Sequence, residues 1–155
     1  MSKERAIPEG FHSVTPYLIV KDGAKALEFY VKAFGAQVTE KHLTDDGKIM
    51  HALFKIGDSL VMLSDEFPEP ESCGLVAPSA KGQSVSLHVY VENVDASFDQ
   101  AVKAGANVVM PVEDQFWGDR FGQLSDPFGH RWSLSTPLAY LKPKKPGSSC
   151  CGCSH

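Results

Sequence analysis

Apolar and polar positions alternate along this chain in a pattern that is written twice. In each copy, a run with a period of two residues gives way to a run with the helical period of about 3.6, which stops at a glycine before alternation resumes. The stretch Tyr17–Val38 carries the first copy and His88–Val108 the second, with Val31-Lys32-Ala33 matched by Val102-Lys103-Ala104. Two copies are too few for a solenoid. The pattern therefore predicts one domain with internal twofold pseudo-symmetry.

Each copy predicts the element order βαβββ. The first has strands at Val14–Val20, Gln37–Leu43, Ile49–Ile56 and Ser59–Ser64, and a helix at about Ala24–Phe34 with the apolar stripe Ala24, Leu27, Tyr30 or Val31, and Phe34. The second has strands at Val85–Val91, Asn107–Met110, Phe121–Ser125 and Arg131–Ser135, and a helix at about Val94–Ala104 that Asn93 caps. We expect an α+β fold in which one domain spans 13–136: a first module over about 13–66, a linker over 67–83 and a second module over about 84–136. Residues 1–12 form a lead-in and 137–155 a flexible, cysteine-rich tail.

Composition narrows the class of protein. With 155 residues, 43% apolar and 22% charged, the chain is typical of one soluble globular domain. The net charge of −4 argues against nucleic acids and anionic membrane surfaces as partners. No apolar run reaches the roughly 20 residues of a membrane span, and the first ten residues lack a signal-peptide pattern. The sequence predicts a cytoplasmic protein with no membrane partner.

The strand faces turned away from the helices carry an unusual mixture of side chains. Strand alternation puts polar and aromatic residues there: Thr15, Tyr17, His51, Ser86, His88, Tyr90 and Ser133. These faces are too apolar for plain solvent surface and too polar for a core, as is typical of a small-molecule site. We therefore predict a cup that binds a small molecule through these residues.

His51 and His88 are the candidates for catalysis. An imidazole on the cup face can act as a general base near neutral pH or as a metal ligand. The structural alternative is that each histidine is hydrogen-bonded to a neighbouring hydroxyl or tyrosine. None of the predicted strands places a carboxylate on the cup face. The sequence therefore offers no third ligand that could join the two histidines in binding a metal.

The segment between the sixth and seventh strands is a candidate lid. Phe116 and Trp117 are large apolar side chains in a connection, and Arg120 offers a fork of donors to a carboxylate or phosphate. The alternative is a structural plug in which Arg120 pairs with Asp119 or with a more distant carboxylate.

The last residues hold a second, weaker candidate for metal binding. Cys150, Cys151, Cys153 and His155 are soft donors at close spacing, but they lack the paired spacing of structural zinc sites. The alternative is an oxidation-prone tail without a metal.

Several short segments resemble a known family. Leu18-Ile19-Val20-Lys21-Asp22 is similar to the vicinal oxygen chelate superfamily. Within it, Ile56-Gly57-Asp58-Ser59, Gln115–Arg120 and Asp126-Pro127-Phe128-Gly129-His130 are similar to the PhnB-like glyoxalase/bleomycin-resistance branch. The resemblance covers about 13–136. It implies a cup-shaped curved mixed sheet, a homodimer, and in its enzymes a divalent metal held by His, Gln or Glu on the first, fourth, fifth and eighth strands.

The family's metal positions are changed in this chain. They fall on Thr15, Val61 or Met62, Ser86 and Ser133, which supply neither imidazole nor carboxylate. We therefore expect a small-molecule binding protein of the glyoxalase/bleomycin-resistance type, a homodimer with no cofactor. One alternative is a metal-dependent lyase, isomerase or dioxygenase that uses His51 and His88; another is metal handling by the tail.

Overall fold

The fold is given by a computed structural model, which describes residues 6–67, 76–79 and 85–142. The first half contains β1 (Tyr17–Val20), α1 (Gly23–Phe34), β2 (Gln37–Leu43), β3 (Ile49–Ile56) and β4 (Ser59–Asp65). The second contains β5 (Ser86–Tyr90), α2 (Val94–Ala104), β6 (Asn107–Asp114), β7 (Asp119–Ser125) and β8 (Arg131–Pro137), and α3 (Leu138–Leu141) follows. The order βαβββ is confirmed in both halves.

Each half forms its own four-stranded mixed sheet. The strand orders are β1-β4-β3-β2 and β5-β8-β7-β6, so the same topology occurs twice. The first strand of each half, β1 or β5, lies at one edge of its sheet and pairs in parallel with the last strand of that half. The remaining pairs are antiparallel. The α+β fold is confirmed. Among the described strands, hydrogen bonding stays within each half, so there are two sheets rather than one continuous one.

Both long helices start and stop with the residues that the sequence favours. The side chain of Asp22 accepts a hydrogen bond from the backbone of Lys25, and Asn93 accepts one from the backbone of Ala96. The predicted cap at Asn93 is therefore confirmed. Each helix ends at a glycine with positive φ, 66° at Gly35 and 123° at Gly105, where a side chain would be strained.

The predicted apolar stripe of α1 is wrong by one position at its start. Ala24 and Val31 are exposed, and the buried residues are Gly23, Ala26, Leu27, Phe29, Tyr30 and Ala33. The reason is that the helix begins directly against β3: a Cβ on Gly23 would lie 3.0 Å from the Cβ of Ile49. A glycine carries no apolar side chain to reveal which face it occupies.

Other boundaries also differ from the prediction. β1 starts at Tyr17, and Val14 is 85% exposed. Pairing of Asp114 with Arg120 extends β6 and β7, so the predicted loop is a hairpin with its turn at 115–118. The short helix α3 occupies the start of the predicted tail. None of the described helices is long and apolar enough to cross a bilayer.

The two halves share one core, built where α1 meets the second sheet. The ring of Phe34 lies 4.6 Å from that of Trp132, and Tyr30 stacks on Phe54 of its own sheet at 5.3 Å. The Tyr30 hydroxyl donates to the buried Asp126 at 2.6 Å. Burial, with the Asp126 charge, raises the pKa of Tyr30 well above its usual value, so this donor keeps its proton.

Because α1 contacts the helix-covered side of both sheets, the helix-free faces of both sheets are turned away from the shared core. These two helix-free faces, one on each sheet, are the surfaces on which the sequence places the ligand.

Candidate functional site

His88 lies on the helix-free face of the second sheet, in the edge strand β5. In the parallel register of β5 and β8, His88 is paired with Ser133, and Ser135 lies two residues further along β8. Its Nδ1 is 2.7 Å from the Ser133 hydroxyl and its Nε2 is 2.8 Å from the Ser135 hydroxyl. Burial lowers the pKa of His88 below its usual value, and the charge of Asp119 opposes that shift. The imidazole is therefore neutral at pH 7.

This neutral ring fixes the direction of its two hydrogen bonds. A neutral imidazole has one N–H donor and one acceptor nitrogen, so one serine donates to the ring and the other accepts from it. The accepting serine keeps its own hydroxyl hydrogen for another acceptor. Ser133 is 5% exposed and Ser135 is fully buried. The two serines therefore hold His88 in place rather than presenting a nucleophile.

Aromatic rings surround His88. Tyr90 meets it edge-on at 4.7 Å and Phe121 stacks on it at 5.9 Å. Trp117 packs edge-on against Phe121 at 5.4 Å. Tyr90 and Trp117 are at least half exposed, so their rings are open to a ligand. Sequence reasoning singled out Tyr90 and Trp117 but missed Phe121 and Ser135, although the alternation of β7 and β8 placed both on this face.

Two charged residues on this face were also missed. Because β7 begins at Asp119 rather than Phe121, alternation puts the Asp119 carboxylate on the side of His88, which corrects the expectation that no carboxylate lies there. Arg131 shares the face with Ser133 in β8. Its Nε is buried and has no hydrogen-bond partner within the described residues. An unpaired buried donor is costly in free energy.

The helix-free face of the first sheet carries the other histidine. The Tyr17 hydroxyl is 3.3 Å from Nδ1 of His51, and the His42 ring lies 6.2 Å away. Met62 is opposite Tyr17 in the register, and Thr15 is half-buried just before β1. In the described part of the chain, the hydrogen bonds and ring contacts of His51 and of His88 stay within their own sheets. Within the described residues, no hydrogen bond or ring contact joins His51 to His88.

Arg120, in the segment of the candidate lid, makes ion pairs with two carboxylates. Its guanidinium donates twice to Asp95, at 2.8 and 2.9 Å, and once to Asp114 at 2.9 Å. These hydrogen bonds raise the pKa of Arg120 still further. Arg120 therefore makes the longer-range ion pair of the alternative, which uses three of its five N–H groups. Phe116 stands at the hairpin tip, 96% exposed, in contact with Trp117 at 5.1 Å.

The residues at the family's metal positions do not fit a divalent ion. Val61 lies in the core at 5% exposure, so Met62 holds the fourth-strand position on the helix-free face. Thr15, Met62, Ser86 and Ser133 offer hydroxyls and a thioether in place of imidazole or carboxylate. Among residues 6–67, 76–79 and 85–142, no three His, Cys, Asp or Glu side chains could hold a metal together. Cys150, Cys151, Cys153 and His155 lie outside the described residues.

Comparison with known proteins identifies the family. The model of the Glyoxalase/Bleomycin resistance protein/Dioxygenase superfamily matches residues 10–134, and the chain belongs to this superfamily. An uncharacterised protein of Mycobacterium bovis is 45% identical over 129 residues, which cover 81% of this chain and 84% of that protein.

Solved structures agree with the fold. The crystal structure of TioX from Micromonospora sp. ML1 has a TM-score of 0.64 and 28% identity, covering 82% of this chain and 99% of TioX. The PhnB protein from Bacillus cereus has a TM-score of 0.62 at 20% identity, covering 81% of this chain and 99% of PhnB.

Proposed function

We propose that this protein binds a small organic molecule on the helix-free face of the second sheet without using a metal. The observation that carries this proposal is the neutral His88 held between two buried serine hydroxyls. A ring fixed in this way is preorganised, so little conformational entropy is lost when a ligand packs against it.

The side chains around His88 define the chemistry of the ligand. Tyr90 and Trp117 are exposed aromatic rings that favour a flat, partly apolar molecule. The buried Nε of Arg131 and the free serine hydroxyl hydrogen both donate, so the ligand should carry carbonyl or carboxylate oxygens. We expect an aromatic or conjugated acid or amide.

The proposal includes a homodimer in the cytoplasm. Each helix-free face is open on one side in a single chain, and the two faces are complementary: the first is more apolar around Met62, and the second is polar around Ser133. We propose that the face of one copy covers the opposite face of its partner. Light scattering on the purified protein would measure its molecular mass in solution. The mass of a monomer at all protein concentrations would contradict the homodimer.

A thermal-shift screen tests the ligand. Flat aromatic acids and amides would be assayed against the wild type, His88→Gln and Ser133→Ala, with Met62→Ala as the control at the matching position of the first sheet. We expect compounds that stabilise the wild type and Met62→Ala but have little effect on the other two variants. Equal stabilisation of all four proteins would contradict a site at His88.

Metal analysis tests the enzyme alternatives. Protein purified without a histidine tag or chelator should contain far less than one divalent ion per chain. One ion per chain that disappears in both His51→Ala and His88→Ala would support the metal-dependent lyase, isomerase or dioxygenase instead. Metal that disappears only when residues after Lys145 are removed would assign it to the cysteine-rich tail.

A further inference from the structure

A cavity lies between the two halves beside β5, and its lining includes His88 and Tyr90 of the site proposed above. Its volume is about 950 Å³, within the range of cavities that hold small ligands. It opens between the halves, where the end of α1, the start of α2 and the β3–β4 turn meet. Its floor is apolar and includes Phe34, Trp132 and Leu134, while its mouth carries Asn93, Ser97 and Gln100.

The cavity exists because the internal pseudo-symmetry is broken at this point. At the matching place on the other side of the shared core, Phe29 and Tyr30 pack against Phe128 with ring centroids 6.1 and 6.3 Å apart. Phe29 and Tyr30 are the seventh and eighth residues of α1; the same positions of α2 are Gln100 and Ala101. The space that aromatic rings fill on one side is thus left open on the other.

The turn between the last two strands is also smaller in the first half than in the second. The turn after β7 runs from Asp126 to His130 and carries Phe128, and its His130 Nε2 lies 3.0 Å from the backbone oxygen of Ile19. The matching turn after β3 consists of Gly57 and Asp58 alone, and both line the cavity. A shorter turn and two smaller helix residues therefore create one continuous opening.

We propose that this cavity, which adjoins the face around His88, is a second binding site for an uncharged apolar molecule. Trp132, Phe34 and Leu134 supply the apolar contacts, and the amide and hydroxyl groups at the mouth can bind one polar end. The charged side chains among the lining residues, histidines apart, are the carboxylates Asp58 and Glu92, with no lysine or arginine in the described lining. An anion is therefore disfavoured.

Filling the cavity tests the proposal. Gln100→Phe restores the aromatic residue of the matching position in α1, and Asp99→Phe places the same ring one residue earlier, outside the cavity lining. With the neutral dye Nile red, we expect saturable binding of one dye per chain to the wild type and to Asp99→Phe. Gln100→Phe should weaken the affinity by about tenfold or more. Equal affinity in folded Gln100→Phe, or no saturable binding to the wild type, would overturn the proposal.

Tryptophan quenching locates the ligand without depending on that variant. The chain has two tryptophans, so Trp117→Phe leaves Trp132, which is 1% exposed, as the sole reporter. Neutral tribromoethanol should quench Trp132 along a saturating curve, and iodide should quench it little. Quenching that fails to saturate, or equal quenching by iodide, would contradict a site for uncharged molecules at Trp132.

Discussion

The helix-free faces of the two sheets use the same positions for different chemistry. In the first sheet a tyrosine, Tyr17, stands on the edge strand and a histidine, His51, on the third strand, with rings 5.8 Å apart. In the second sheet the order is exchanged: His88 stands on the edge strand and Phe121 on the third, 5.9 Å apart. The strand register makes these positions equivalent.

What separates the two faces is the last strand of each half. Met62 occupies the position of Ser133, so the first sheet has a thioether where the second has a hydroxyl for its histidine. His51 therefore has one long contact with Tyr17, whereas His88 is fixed at both ring nitrogens. One duplicated fold thus yields an apolar face and a polar face, and the polar one carries the proposed site.

The largest expected effect comes from removing the hydrogen bonds of Asp126, the joint between the two halves. Asp126 accepts hydrogen bonds from Tyr30, Trp132 and the backbone of Phe128 and His130, where the first half has Ile56. Asp126→Ala leaves buried donors unpaired, and we expect the free energy of unfolding in urea to fall by about 3–5 kcal/mol. Tyr30→Phe, which removes one of these donors, should cost only about 1 kcal/mol. A smaller loss in Asp126→Ala than in Tyr30→Phe would contradict this account of the joint.

The start of each helix gives a second comparison. Asp65 at the end of β4 accepts from the backbone of Gly23 at 2.8 Å and of Ile49 at 2.6 Å. Thr136 at the end of β8 accepts from the backbone of Val94 at 2.9 Å. Asp65→Ala orphans two buried donors and should destabilise by about 2–4 kcal/mol; Thr136→Ala orphans one and should cost about 1–2 kcal/mol. Urea unfolding of both variants measures the two losses, and a larger loss in Thr136→Ala than in Asp65→Ala would contradict this prediction.

Helix-to-sheet spacing gives a third comparison. A Cβ on Gly122 would lie 2.8 Å from the ring of Phe98, the fifth residue of α2. The matching positions in the first half hold Ala52 and Leu27. Gly122→Ala should therefore destabilise by about 1–3 kcal/mol through overpacking. Adding Phe98→Leu should recover part of that loss, and a double-mutant cycle with no coupling would contradict the paired substitution.

The smallest expected effect is the pH dependence of the free energy of unfolding that His88 contributes. Because the pKa of His88 is lowered on folding, the unfolded chain binds a proton at His88 more readily than the native protein does. Stability from this group is present above the unfolded pKa of about 6.5 and is lost as the pH falls below it. Comparing urea unfolding at about pH 7.5 and 5.5, we expect wild type to lose slightly more stability than His88→Gln. An equal or smaller loss in wild type would contradict the lowered pKa.

Much of the fold could be predicted because local patterns determine it. Alternation and glycine stops gave β2, β3 and α2 with the bounds that the structure has, and the cap at Asn93. The errors fall where tertiary contacts outweigh local pattern. The turn of α1 toward β3 at Gly23 and the extension of β6 and β7 into a longer hairpin both depend on partners distant in sequence.

The candidate site was predicted in part, for the same reason. Strand parity alone places His88, Tyr90 and Ser133 on one face, since side chains alternate along any strand. Strand alternation does not predict which serine hydroxyls contact the two ring nitrogens of His88, nor that Arg120 forms an ion pair with Asp95. Those depend on strand register and on helix position.

The sequence by itself determined the duplicated βαβββ order and the faces of the strands, because both follow from local period. Only the tertiary structure decided how the halves meet. The packing of α1 against Trp132, the burial of Asp126 and the cavity beside Gln100 arise from contacts between segments far apart in the chain. Such contacts depend on the volumes of facing side chains, and no pattern within a single segment records them.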